Sequence, residues 1–228
     1  NPNTELVYNG YDPELFYPEQ HRTSQFVITY TGRLISLRHV TLIAFEAVSR
    51  LDREKLIDPD QFRIQWYVDA GSKAIIMQAA TAYPVARYMD FFDYVPASEI
   101  PGVLNRSSIL LQLANTFASD GPKGFMTTKL FESMAVGKPL LCVKSDEIAE
   151  ATIRNTRSGL AARTAEEAFR FILHHYQFWQ DNGYTHINTD KEAVERFSRK
   201  KQAEQFMRIF TRLKANDRHG KVSEHYSF

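Results

Sequence analysis

Cysteine is nearly absent from this sequence. Cys142 is the single one in 228 residues, which excludes a disulfide scaffold and any multi-cysteine zinc site. Excess charge is missing too. With 28 Lys+Arg against 27 Asp+Glu, there is no global basic field of the kind that draws a protein to nucleic acid. No apolar run approaches the ~20 residues that a membrane-spanning helix needs, and no signal-peptide pattern opens the chain. No Gly-x-Gly-x-x-Gly follows a strand-like run, which disfavours a nicotinamide dehydrogenase. The seven histidines show no zinc-ligand spacing, and His174 and His175 are adjacent on a helical stretch, so they cannot share one face. Internal repeats and low-complexity blocks are also lacking. These exclusions leave a globular chain, expected in the cytoplasm and 43% hydrophobic. It is long enough for one large domain or two small ones.

What is present alternates. Short β-branched and aromatic runs predict strands at Phe26 to Thr31, Phe62 to Val68, Phe91 to Pro96, Ser108 to Leu113 and Pro139 to Val143, with a short one near Leu160 to Ala162. Between them, apolar residues at helical spacing predict helices. One follows Ser36 and includes Leu42, Phe45, Val48 and Leu51; others cover Lys73 to Ala82, Ser98 to Asn105, Thr128 to Val136, Asp146 to Asn155, Thr164 to Gln180 and Lys191 to Lys214. From Asn115 to Met126 the period disappears, which marks a long loop of the functional kind. Strand–helix alternation of this type predicts an α/β fold: a single doubly wound, Rossmann-like domain with a mainly parallel sheet. In such folds ligands sit outside the carboxyl ends of the strands.

Two groups of residues fall on that edge. Gly32-Arg33-Leu34 ends the first strand, and Arg38 follows in the first turn of the next helix. A glycine, two guanidiniums and a helix N-terminus all favour an anion, although each arginine alone also reads as an ordinary surface cation. After the long loop, Thr127 and Thr128 are both able to cap the next helix. With Thr128 as the cap, Glu132 is not at the capping-box position. A carboxylate flanked by Leu130, Phe131, Met134 and Ala135 suits two ribose hydroxyls; the alternatives are a solvent-facing glutamate or a pair with Lys129. Asp58-Pro59-Asp60 matches an Asp-x-Asp metal motif as text only, because it precedes a strand and contains a turn-forming proline.

These residues, in order, resemble the C-terminal, donor-binding domain of the GT-B retaining glycosyltransferases of family 4. The match runs through Val7-Tyr-Asn9-Gly10-Tyr-Asp12, then Tyr30-Thr-Gly32-Arg33-Leu34 with Arg38, and Phe92-Asp-Tyr94-Val95-Pro96 with Glu99. It continues through Ser108-Ile-Leu-Leu, Lys129-Leu-Phe-Glu132-Ser-Met-Ala135-Val-Gly137-Lys138-Pro139, Ser158-Gly159-Leu160 and Phe197-Ser198. The stretch from Lys129 to Pro139 is the most specific. The resemblance implies that Arg33 and Arg38 are catalytic and hold a donor diphosphate, where the family more often has lysine at Arg38. It implies that Glu132 binds ribose, that Tyr94 and Val95 face the nucleobase, and that Thr127 and Thr128 contact phosphate or sugar. Gly32, Gly124, Phe125 and Lys129 complete the implied donor site. Two departures stand out. The family often carries a glutamate eight positions before the one at Glu132, where this chain has Gly124, and His39 replaces a usual glycine.

The implied activity is metal-independent, cofactor-free transfer of a sugar from a UDP- or GDP-linked donor with retention, the charge on the departing diphosphate being stabilised by fixed cations. Non-catalytic binding of a nucleotide-sugar and 2-epimerisation are the alternatives carried by the same fold. The expected organisation is a linker over residues 1–20, the donor domain over 21–190, closing helices over 191–216 and a flexible tail over 217–228. On this reading the chain is one half of an enzyme and inactive alone. A missing N-terminal domain would bind the acceptor, whether glycan, lipid or small molecule. Nucleic acid is not an expected partner. The basic stretch Arg196–Lys201 suggests peripheral contact with the inner face of a membrane. The apolar residues Phe206, Phe210 and Leu213 suggest dimerisation of the isolated piece.

Overall fold

The structure, a computed structural model, describes residues 4–34, 42–113, 126–143 and 145–222, with side chains of the last helix placed to residue 215. Arg38, Gly124 and Phe125 lie outside the described residues, as does most of the expected long loop.

Six strands form one parallel sheet in the order β3-β2-β1-β4-β5-β6: β1 Phe26–Thr31, β2 Phe62–Tyr67, β3 Met89–Phe92, β4 Ile109–Leu113, β5 Leu140–Val143 and β6 Gly159–Ala162. The chain therefore winds outward from β1 through β3, returns to the middle at β4, and winds outward again. That return creates a switch point between β1 and β4, where the loops beyond two adjacent strands diverge.

Alternation along the strands builds two cores. Ile109 and Leu111 of β4 and Leu141 and Val143 of β5 face one core with Phe45, Leu51, Ile76, Ile172 and Tyr176. Their neighbours Leu110, Leu140 and Cys142 face the other, with Leu104, Phe131, Met134, Ile153 and Val194. Strands covered on both faces read as continuous apolar runs, which is why β4 and β5 are plain in the sequence. The first core is covered by α1 (Leu42–Arg53), α2 (Ala70–Ala80) and α6 (Ala165–Asn182). The second is covered by α3 (Ile100–Asn105), α4 (Thr128–Ala135), α5 (Glu147–Thr156) and α7 (Lys191–Glu195). The last helix, α8, spans Arg199–Val222.

Four expectations are corrected. The third strand lies at Met89–Phe92 rather than Phe91 to Pro96, because Met89 takes register against Ile64 and the chain has left the sheet by Tyr94. Helix α2 begins at Ala70 instead of Lys73, since the Asp69 carboxylate accepts the Ser72 N–H at 2.6 Å and caps it. The expected single helix from Lys191 is two. At the break the Tyr11 N–H donates to the Phe197 carbonyl at 3.1 Å and the Arg199 N–H donates to the Tyr11 carbonyl at 2.8 Å. An N-terminal residue thereby satisfies the backbone groups that a continuous helix would have paired internally. Helix α8 also runs to Val222, past the Lys214 limit expected for it and into the expected tail.

Candidate functional site

The carboxyl edge of the sheet gathers four loop starts. After β1, Gly32 holds φ at 137°, a conformation open to glycine and strained for other residues, and its N–H donates to the Tyr67 carbonyl at 3.0 Å. A Cβ at this position would overlap the Lys129 ammonium. The backbone angle is what requires the glycine; a side chain here would also displace the flexible Lys129 head. Lys129 reaches across the switch point from the first turn of α4, and its Nζ stands 5.7 Å from the Tyr30 ring centroid.

Helix α4 is held in register by Gln112 of β4, whose Nε2 donates to Ser133 Oγ at 2.9 Å and to the Lys129 carbonyl at 3.4 Å. Its N-cap is Thr127, with Thr128 the first helical residue, and Thr127 makes no side-chain capping bond. The amide end of α4, without a side-chain cap from Thr127, thus lies on the same edge as Lys129. Burial lowers the Lys129 pKa, opposed by the Glu132 carboxylate. Burial likewise raises the Glu132 pKa, opposed by Arg199 first and by Lys129 second. Glu132 is half-buried and, among the described residues, has no hydrogen bond or ion pair from its carboxylate. It is neither the solvent-facing glutamate nor the closely paired one that its spacing allowed.

On the other side of Gly32, Arg33 projects with its side chain 76% exposed, its Nε 3.5 Å from Asp69 Oδ2. The Tyr94 hydroxyl donates to the same oxygen at 3.0 Å. Asp69 lies well below the usual carboxylate range, chiefly because the Ser72 N–H donates to it, with Tyr94 and Arg33 adding to the effect. The Tyr94 hydroxyl is pushed up by desolvation and by Asp69. Burial and the nearby Tyr94 also raise the pKa of Tyr30, between the two groups.

The structure therefore brings Gly32, Arg33, Tyr94, Thr127, Thr128, Lys129 and Glu132 to one edge, with Val95 half-buried beside Tyr94. Two contributors were not singled out from the sequence. Asp69 ends a strand at the ligand edge, as Gly32-Arg33 does, and that parallel position was a readable signal. Arg199 gave none: it sits far along the chain in a basic run, and the pairing of Tyr11 with the Phe197–Arg199 backbone helps fix where α8 begins. The arrangement offers an anion two cationic side chains, Arg33 and Lys129, and a helix N-terminus, with Glu132 as a hydroxyl acceptor nearby. Among the described residues no His, Cys, Asp and Glu side chains gather into a metal-binding group. No described helix is long and apolar enough to cross a membrane.

No family model matches the chain, and no curated protein matches it; the likenesses found are structural. HepE from Anabaena superposes with a TM-score of 0.65 at 18% identity over 91% of this chain and 57% of that one. HepE has been solved with UDP and glucose, with UDP, and with UDP-glucose. Sucrose-phosphate synthase from Thermosynechococcus elongatus superposes at 0.60 with 14% identity over 93% of this chain and 53% of its own. A glycosyltransferase from Rickettsia africae does so at 0.57 with 18% identity over 85% and 49%. The expected fold, a Rossmann-like domain of the GT-B glycosyltransferase type, is the fold observed. This chain spans about half the length of the solved structures it resembles.

Proposed function

We propose that this chain is the donor-binding part of a retaining glycosyltransferase. It binds a nucleoside-diphosphate sugar on the carboxyl edge of its sheet. The observation that carries this reading is the convergence of Arg33, Lys129 and the amide end of α4 around Gly32 at the switch point. The sharing of this fold with HepE, a protein solved with UDP and UDP-glucose, supports it.

In this reading Arg33, joined by Arg38, and Lys129 take the diphosphate, and Thr127 and Thr128 add backbone N–H groups. Glu132 accepts the ribose hydroxyls, an acceptor role that suits a half-buried carboxylate to which no donor among the described residues bonds. Tyr94 and Val95 border the base. Cations fixed before the reaction stabilise the negative charge that builds on the departing diphosphate, without a metal or other cofactor. The acceptor is held by a second domain outside this chain, so the chain alone binds donor and transfers nothing.

The absence of a carboxylate at Gly124 favours one competing reading, a module that binds nucleotide-sugar and has lost the chemistry. Calorimetric titration with UDP, GDP, UDP-glucose and GDP-mannose tests the binding. Saturable binding that weakens about tenfold or more in Arg33→Ala supports the site, since a hydrogen bond to a charged group contributes at about that level. Absence of binding at millimolar nucleotide contradicts it. Assay of a longer chain that includes the acceptor domain separates transferase from binding module.

A further inference from the structure

The amino edge of the sheet, at the opposite end of α4 from the site just described, contains a cavity of about 540 Å³. It lies between the segment from Tyr11 to Gln20, the turn after α4 and the segment from Thr185 to Glu195. Its location is well determined by polar anchors. The Glu19 N–H donates to Asn105 Oδ1 at 2.8 Å, Asn105 Nδ2 donates to the Tyr17 carbonyl at 3.1 Å, and Thr185 Oγ1 donates to the Ser108 carbonyl at 2.7 Å.

Lys138 lines this cavity, and the residue is only 5% exposed. Among the described residues its ammonium has no hydrogen-bond acceptor and no carboxylate within ion-pair distance; Glu19 acts on it from farther away, against a desolvation that lowers its pKa. Glu19 itself is turned to His21, 2.9 Å from its Nε2. Thr189, another residue of the wall, has a hydroxyl that is shut off from solvent and makes no hydrogen bond among the described residues. The Lys138 ammonium differs from it in keeping accessible surface, so it is open to a ligand. The rest of the lining is in large part apolar, with Phe16, Val136, Ile187 and Val194. A cavity of this size with an apolar wall and a few converging polar groups has the anatomy of a small-molecule site.

The charge balance narrows the ligand. The Lys138 ammonium, the deeply placed cation of the wall, matches a single negative charge. The cavity also carries Glu19 and Glu195, with Lys191 and His186 as further titratable groups, and the two carboxylates disfavour a dianion such as a phosphate monoester. We infer that this cavity is a second binding site, for an organic monocarboxylate with an apolar body, whose carboxylate meets the Lys138 ammonium. The site is independent of the proposed donor site, and neither inference requires the other.

Octanoate, octan-1-ol and octyl phosphate titrated into the chain by calorimetry, with saturating UDP present and absent, test it. Octanoate is expected to bind more tightly than both others, with an affinity that UDP leaves unchanged. Lys138→Met keeps the shape and is expected to weaken octanoate about tenfold or more. Should that variant fold poorly, Glu19→Gln still decides: by removing a repelling surface charge it is expected to tighten octanoate. Equal binding of octanoate and octan-1-ol, tighter binding of octyl phosphate, or octanoate affinity unchanged in both variants would overturn the inference.

Discussion

Each end of helix α4 has its own lysine, and the two lysines live under different conditions. Lys129, in the first turn, lies against Gly32 and Tyr30 with Glu132 as its counter-charge and the exposed Arg33 across the edge. Lys138, just past the last turn, is enclosed by a cavity wall and answered by Glu19 only at a distance. Burial pulls both ammonium groups down in pKa. The helix field works in opposite senses on them, since a helix N-terminus repels a cation and a C-terminus attracts one. Lys129 is therefore a cation held where an anion is needed to balance it. Lys138 is a cation near the carbonyl end of α4 whose head has no acceptor among the described residues. Two ends of eight helical residues thus yield one site shaped by convergence and one shaped by a single ammonium in a half-open cavity.

The largest effect that sharpens the contrast belongs to the amino edge and to pH. His175 of α6 is buried beside Phe171, its Nδ1 has no hydrogen bond, and its pKa is lowered to about 4 by desolvation, with His174 and His186 adding to the shift. The unfolded chain binds this proton more readily, so the associated stability is complete above pH ~6.5 and is lost as pH falls toward about 4. The total is roughly 3 kcal/mol. Denaturant melts across that range are expected to show the slope, and His175→Leu to flatten it.

Next in size is Gly32→Val on the carboxyl edge. Its positive φ predicts a loss of about 1–3 kcal/mol in stability. Nucleotide affinity is expected to fall with it, because Lys129 must move. Thermal melts with and without UDP separate the two effects.

The lysines themselves are expected to answer differently to the same substitution. Lys138→Met removes a partly desolvated cation that has no close counter-charge among the described residues, and it is expected to stabilise the fold by about 1 kcal/mol. Lys129→Met is expected to change stability by no more than about 0.5 kcal/mol while weakening UDP. Equal behaviour of the two variants in both measurements would erase the distinction between the ends. The smallest effect is expected from Asp69→Asn, which keeps an acceptable cap for α2 and frees Arg33 and Tyr94 from the carboxylate. A stability change of a few tenths of a kcal/mol with a several-fold change in UDP affinity is the expected outcome by calorimetry.

The sequence exposed the sheet well and its edges poorly, for physical reasons. Doubly covered strands such as β4 and β5 need continuous apolar runs, and those runs are visible without any structure. Strand β3 pairs on one side only, and its placement depended on register against Ile64 rather than on composition, so Phe91 to Pro96 misled by two residues at its start. The break between α7 and α8 was hidden because Tyr11, nearly the whole chain away, supplies the bonds that stabilise it. At the candidate site, Gly32-Arg33 and the Lys129–Glu132 turn were legible as chemistry at a strand end and a helix start. The Asp69–Arg33–Tyr94 group was legible only as a position. The Lys138 cavity gave no sequence signal, since one lysine between a glycine and a proline reads as an ordinary turn residue.

The most direct test of the donor-site account is the UDP affinity of three proteins measured side by side by calorimetry: the wild-type chain, Arg33→Ala and Lys138→Met. The account predicts saturable binding to the wild type, about tenfold or more weaker binding to Arg33→Ala, and an unchanged affinity for Lys138→Met. Binding lost equally in both variants, or no UDP binding by the wild-type chain, would contradict it.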